Sequence, residues 1–390
     1  MKMLKLFKEV INKFRGGEES SLLNEEPEAA FEERFFELDQ RPSKMKSIKT
    51  VAFHLPQFYE FEENNDWWGK GFTEWTNVTK AEPLFPGHFQ PRLPHDDIGL
   101  YKLDNLASVE NQANLALAAG IDAFCFYYYH LSGKKLLRKP VDLFTQLDSE
   151  LEFCFCWANE NWTRRWDAAE REVLARQLYD DDEVARIIED VSGYMLKPNY
   201  LKVGERPFLI LYEPARVPDL EKLVAKVREG IISRIGMNPY IGYIWRGEQK
   251  SYYGDLFDTA VSFPLHYPGQ QAFHSQKVNG KKLHSYSKMM KKSIKLSGKR
   301  SDVLKCCIPS WDNTSRLRDR ASVFYGSEPN LFGKWYAECL KNASKQDHPI
   351  VFINAWNEWA EGNYLEPDQK YGYANLNRVW KVQREDEFLS

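Results

Sequence analysis

The chain has 390 residues, 43% of them hydrophobic and 28% charged, with a formal net charge of −3. These values exclude a disordered chain, leave room for one large domain or two ordinary ones, and give no electrostatic reason to expect a nucleic-acid partner. Aromatic content stands apart, with 12 Trp, 20 Tyr and 24 Phe.

At the N-terminus Leu4, Phe7, Ile11 and Phe14 recur at helical spacing among Lys2, Lys5, Lys8, Lys13 and Arg15. That is the pattern of a basic amphipathic helix, which can lie on an anionic membrane surface or dock on protein. The opening lacks the continuous apolar core of a signal peptide. No segment reaches the ~20 apolar residues that a transmembrane helix needs. A cytoplasmic protein, with peripheral contact at the inner membrane face through residues 1–15, is the expectation. Residues 16–47 are polar and acidic and read as a linker, so the catalytic body should occupy residues 48–390.

Eight short apolar runs follow, ending near Phe58, His130, Glu160, Pro214, Trp245, Pro264, Trp311 and Trp356. They are apolar on both faces, as parallel strands covered on two sides are. Helical stretches separate most of them. "NLASVENQANLALAAG" ends on Gly120, "DDDEVARIIEDVSGYML" opens with Asp residues suited to capping, and "PDLEKLVAKVREGIISRIG" closes on Gly236. The alternation predicts an α/β fold, a (β/α)8 barrel, over an open doubly wound sheet, because no glycine-rich phosphate loop follows any strand. The gap between the fifth and sixth runs, residues 246–257, is short for a barrel helix. Six cysteines, at 125, 154, 156, 306, 307 and 339, show no zinc spacing and fit a reducing compartment.

A barrel builds its active site at the C-terminal strand ends. Ten of the 12 tryptophans fall at or just after these ends: 67, 68, 75, 157, 162, 166, 245, 311, 356 and 359. Indoles form flat apolar platforms for sugar rings, although large aromatics also simply cap a wide barrel. Polar neighbours suit the same ligand. "FTEWTN" offers Glu74 and Trp75, and "FCWANENWTRRW" offers Trp157, Asn159, Glu160, Asn161 and Arg164. Glu213 follows the fourth run and Trp245 ends the fifth, while "PSWDN" contributes Trp311 and Asp312. His54 and His130 fall at strand ends, where a ligand contact and core packing are both open.

The stretch "NAWNEWAEG" holds Asn357, Glu358, Trp359 and Glu361. If it turns helically, the two carboxyls share one small space, so their pKa values separate and one can hold a proton near neutrality. An acid and a base beside a sugar are the equipment of glycosidic-bond chemistry. The spacing alone equally describes two solvated acids at a helix start. Asp180–Asp182 superficially match an acidic metal motif but stand where helix caps belong. Residues 277–300 carry eight lysines and one arginine, either a solvated face or an attraction for phosphate or anionic lipid.

The blocks "LPQFYEFEENNDWWGKGFTEWTNVTKAEPLFPGHFQPRLP", "FCFYYYHLSGKKLLRKPVD", "FCWANENWTRRWD" and "NAWNEWAEGNYLEPD" together resemble the WbsX-like glycosyltransferase family, related to glycoside hydrolase family 99. The resemblance spans roughly residues 48–375. It implies a (β/α)8 barrel, cytoplasmic work in bacterial surface-polysaccharide (O-antigen, capsule or lipopolysaccharide) biosynthesis, and retention at the sugar. It further implies that Glu358 is a base removing the sugar 2-hydroxyl proton, so that this oxygen attacks the anomeric carbon and forms a transient 1,2-anhydro sugar. Glu361 would protonate the leaving oxygen. A glycan or lipid-linked oligosaccharide is the expected partner, and no cofactor or metal is called for. An endo-acting, mannosidase-like hydrolase, a non-catalytic glycan-binding barrel and a metal-dependent enzyme are the alternatives.

Overall fold

The computed structural model describes Glu32 and residues 48–164, 169–247, 253–266, 276–278 and 281–384. The expected amphipathic helix at 1–15, and all of the 16–47 linker but Glu32, lie outside the described residues. Eight parallel strands form the core: β1 (Lys49–His54), β2 (Ala123–Leu131), β3 (Glu152–Trp157), β4 (Arg206–Leu211), β5 (Tyr240–Trp245), β6 (Thr259–Ser262), β7 (Val303–Cys307) and β8 (Ile350–Ile353). Each pairs with its neighbours in chain order, and β1 pairs with both β2 (Val51↔Ala123) and β8 (Val51↔Phe352). The sheet is therefore closed, and each of the eight apolar runs contributes one of its strands.

The runs are apolar on both faces because both faces are covered. Inside, Phe53 meets Phe263 and Phe352, with ring centroids 5.7 and 5.3 Å apart, and Phe208 meets Phe352 at 6.2 Å. Outside lie α1 (Leu106–Ala118), α2 (Lys139–Phe144), α3 (Asp181–Met195), α4 (Leu220–Ile235), α5 (Tyr286–Ser297), α6 (Pro329–Ala343) and α7 (Ala374–Arg384). Side chains at the helix starts accept the amide protons that the first turn leaves free: Asn105 for α1, Asp180 for α3, Asp219 for α4 and Ser285 for α5. Helix α4 ends on Gly236 at φ 70°, in the left-handed region. Between β5 and β6, where the sequence ran short, the described residues hold one 3-10 turn, Gly254–Leu256, and no α-helix.

The loops beyond the C-terminal strand ends carry the rest. After β1 come two short helices, Glu62–Trp68 and Glu74–Val78; after β2, a strand Lys134–Leu136 that folds back on it. After β3, Trp162–Arg164 pairs with Ala169–Ala175; after β7 comes the short helix Thr314–Leu317. The six cysteines are free and buried. Among the described residues, no helix is long and apolar enough to cross a membrane.

Candidate active site

The chain beyond β8 makes a tight hairpin rather than a helix. Asn357–Glu358 pairs antiparallel with Asn363–Tyr364, and the 3-10 turn Trp359–Glu361 closes it. This turn, not a helical repeat, brings Glu358 and Glu361 together. Three features fix it. The Asn357 side chain accepts from the Leu55 amide (2.7 Å) and donates to the Leu55 carbonyl (3.0 Å), tying the hairpin to the end of β1. Trp359 stacks on Tyr364 with centroids 3.7 Å apart, and its Nε1 donates to Glu366 at 2.7 Å. The Asp312 amide donates to the Glu361 carbonyl at 2.7 Å. That last contact requires glycine at 362: φ there is +57°, and a Cβ would stand 2.8 Å from the Asp312 carbonyl oxygen.

Around the turn three carboxylates share one guanidinium. Arg316, from the helix after β7, forms an ion pair with Glu361 and feels Glu74 and Glu358 as well. Burial alone would weaken its charge, but those carboxylates outweigh that and hold its pKa above the ordinary value. Glu358 has 8% of its surface exposed. Burial and the Glu361 charge push its carboxyl well above the usual range, against the pull of Arg316 and with a further push from Glu74. Glu74 is wholly buried, and neither of its oxygens has a hydrogen-bond partner of ordinary geometry; the Ala360 amide lies close enough to favour its charge slightly, without closing such a bond. Burial raises its pKa to about 7, with Arg316 opposing and Glu361 adding to the rise.

The resting arrangement therefore favours a proton on Glu358 and ion-pairs Glu361. The roles implied by the family resemblance require the opposite, with a basic Glu358 and a protonated Glu361.

Tyrosines complete the wall. Tyr127 and Tyr129, alternate residues of β2, both feel the Glu358 charge, and burial followed by that charge keeps both hydroxyls neutral. Tyr212, beyond β4, is raised by burial first and then by Glu160, while Arg246 lowers it; Glu361 also acts on it. At the rim, Trp162 packs on Tyr129 (5.2 Å), Trp67 (5.4 Å) and Phe61 (6.3 Å), and all four rings are half-buried. This patch keeps aromatic surface open to solvent, as a sugar platform must. A cavity of about 440 Å³ shares Phe61 with it, lined further by Tyr59, Leu137 and Lys139, and holds neither member of the Glu pair.

Other residues singled out from the sequence take different places. His54 bonds Gln112 of α1 (2.9 Å) between Phe124 and Phe126, and burial lowers its pKa to about 4, so it packs neutral between strand and helix. His130 points outward to Glu183 of α3 at 2.8 Å. The Trp157 ring packs under α4 and donates to Gln177 at 3.1 Å. Trp245 is buried with its ring under the Arg300 guanidinium, which precedes β7. Trp75 donates to the Tyr101 carbonyl (2.7 Å) and packs on Trp359, both rings buried; Trp356 is buried against Phe124.

Asn159 bridges the Glu213 backbone to the Tyr179 hydroxyl, and Asn161 accepts from the Gln177 amide at 2.8 Å. Asp312 is a buried hub for His88 (2.8 Å), Gln90 (2.7 Å) and Arg92 (3.4 Å). Glu160 and Glu213 are half-buried and paired with Arg216 (3.2 Å) and Arg246 (2.5 Å). Trp311 is half-buried, and Trp166 lies outside the described residues. Asp180 caps α3. Arg316, Tyr127, Tyr129 and Tyr212 are neighbours of the pair that the sequence alone does not single out.

Comparison with known proteins agrees with this architecture. The family model described as glycosyltransferase WbsX matches residues 50–379. Two curated relatives, both uncharacterized proteins WxcX from strains of Xanthomonas campestris pv. campestris, are 37% identical over 339 residues, covering 84% of this chain and 48% of theirs. The chain thus spans about half the length of the curated relatives it matches. Among solved structures, a GH99 endo-alpha-mannosidase from Bacteroides thetaiotaomicron is similar at a TM-score of 0.53 and 14% identity, over 87% of this chain and 97% of that one. A glycoside hydrolase-like protein is similar at 0.57 and 13%, over 96% and 99%. At such identities these likenesses speak for the barrel fold alone.

Proposed function

Since this chain belongs to the WbsX glycosyltransferase family, we propose that it makes or cleaves a glycosidic bond in the assembly of a surface polysaccharide, acting on a glycan or lipid-linked oligosaccharide. The observation that carries the proposal is the turn from buried Glu358 to half-buried Glu361 at the C-terminal end of a closed barrel, walled by Tyr127 and Tyr129. In the proposed reaction Glu358 takes the proton of the sugar 2-hydroxyl. That oxygen closes on the anomeric carbon as Glu361 gives its proton to the departing oxygen. In the return step an acceptor hydroxyl or water attacks the anomeric carbon, losing its proton to Glu361, while Glu358 returns its proton to the 2-oxygen. Both carboxyls then lie close together, as one turn allows, instead of flanking the sugar as in the two-carboxylate scheme. Half-buried Trp162 and Trp67 support a sugar platform at the rim.

The test incubates the protein with labelled surface glycans and lipid-linked oligosaccharides. A Glu361→Gln variant should bind as the parent does and lose turnover on the order of a hundredfold or more. Turnover within a few fold of the parent would refute the assigned role.

A second reading, a glycan-binding barrel without chemistry, is favoured by the Arg316–Glu361 ion pair, which ties up the proposed acid. Tight binding without any product would support it.

A further inference from the structure

Three elements meet at Arg316: its own helix after β7, the helix Glu74–Val78 after β1, and the turn Trp359–Glu361 after β8. Only one of the two carboxylates that these neighbours offer is bonded in the resting structure. Glu361 has the guanidinium; Glu74 is wholly buried and both its oxygens lack an ordinary hydrogen bond. An unpartnered carboxyl in such a place costs several kcal/mol if charged, so a fold that keeps one there needs a partner for it at some stage. The guanidinium is the cation at hand, and 23% of its side-chain surface is open, which leaves it room to turn. A forked donor can exchange one carboxylate for another without losing its charge-assisted bonds.

We propose that Glu74 is a positioning residue, the second seat of Arg316: on sugar binding the guanidinium leaves Glu361 for Glu74 and frees Glu361 to carry a proton. The inference rests on Glu361 being the acid of the proposed reaction. Its proton account closes. Protonated Glu74 and the Arg316–Glu361 ion pair become the Arg316–Glu74 ion pair and protonated Glu361, with no net uptake and no change in total charge. The Glu361 charge, which after burial does most to raise Glu358, is then gone; burial and the newly charged Glu74 still oppose ionisation, but Glu358 gives up its proton to solvent more easily and can act as the base. The groups facing Glu74 in this exchange are Arg316, Glu361 and the Ala360 amide, with Glu358 and Tyr129 facing Arg316. One movement thus turns the resting pattern, which by itself runs against the proposed roles, toward them.

The test needs no substrate. In the full chain carrying 13C at the glutamate carboxyls, the Glu74 signal is assigned by its loss in Glu74→Gln and titrated. Its midpoint should lie at about 7 in the parent. In Glu361→Gln the first seat is lost, Arg316 should move to Glu74, and the midpoint should fall by about two units, a hundredfold in the protonation equilibrium. In the double variant Glu361→Gln, Arg316→Gln it should return to 7 or above, which assigns the fall to the guanidinium rather than to the missing Glu361 charge. A midpoint in Glu361→Gln within half a unit of the parent's overturns the proposal, as does an equal fall in the double variant. For any glycan found to turn over, Glu74→Gln should lower kcat about tenfold or more with KM unchanged and no loss of fold stability. A merely structural Glu74 would lower stability instead. If Glu361→Gln abolishes turnover while the Glu74 midpoint stays put, the second seat fails and the assigned acid stands. If Glu361→Gln still turns over, the reaction scheme itself fails.

Discussion

The close approach at Gly362 can be broken with a single methyl group. In Gly362→Ala the new carbon would meet the Asp312 carbonyl oxygen at 2.8 Å, its Cβ at 2.9 Å and its amide nitrogen at 3.0 Å, and two of those atoms are backbone. The left-handed φ of +57° costs a non-glycine residue roughly 1–2 kcal/mol. Forcing the two backbones apart adds about 1–3 kcal/mol. A total loss of about 2–5 kcal/mol is expected. Gly236→Ala is the control, because φ is +70° there and nothing lies within 4 Å of the added carbon, leaving only the roughly 1–2 kcal/mol conformational cost. Urea denaturation of the two variants beside the parent measures both. The Asp312 amide holds the Glu361 carbonyl, so Gly362→Ala should also displace the carboxyl and lower any turnover by about a hundredfold. Equal destabilisation of the two variants, or a Gly362→Ala loss under about 0.5 kcal/mol, would refute the reasoning.

Glu74→Gln should leave stability unchanged below about pH 4 and raise it above pH 7. The folded pKa of Glu74 is about 7 against an ordinary 4.5, so its contribution is lost as pH rises through that window; the 2.5-unit difference is worth about 3 kcal/mol, measured by denaturation at pH 4 and pH 8. Asp312→Asn acts in the opposite sense. Although burial alone would raise that carboxyl, Arg92 and His88 hold it below the ordinary range, and its loss should cost about 3–5 kcal/mol by leaving the largely covered Arg92 guanidinium without this ion pair. The tryptophans should divide into two classes. Trp359→Ala should cost about 3–5 kcal/mol of stability, whereas half-buried Trp162→Ala should cost under about 1 kcal/mol and weaken glycan binding about tenfold, as calorimetric titration would report.

The barrel was legible because each strand is apolar on both faces and so stands out as a continuous run. The lack of an α-helix among the described residues between β5 and β6 was legible as a short gap. That same two-sided apolarity hid which way strand-end residues face. In β3, Phe153, Phe155 and Trp157 pack outward and no polar residue breaks the alternation, so Trp157 looked as available as Trp162. For the same reason His54 and His130 stayed open between ligand contact and packing, and the structure packs both against neighbouring helices. Strand-end position gives height along the barrel axis, not direction around it.

Arg316 was invisible for another reason. It is one of three arginines in "RLRDR", and nothing local separates it from Arg318 and Arg320, which are exposed. Only the closure of the sheet brings the loop after β7 against the loops after β8 and β1. A pair of acids is visible in one stretch of chain, whereas the cation that governs them comes from another.

The two bonds from Asn357 to Leu55 join residues 302 positions apart. In synthesis Glu74 is made before seven of the eight strands, and Glu358 and Glu361 after all of them. Until then β1 has one open edge, and Leu55 has no Asn357 side chain to hold. Any product that stops short of that hairpin lacks the Glu pair, however much of the cylinder it has built. The candidate site is whole only when the first strand and the turn beyond the eighth are joined.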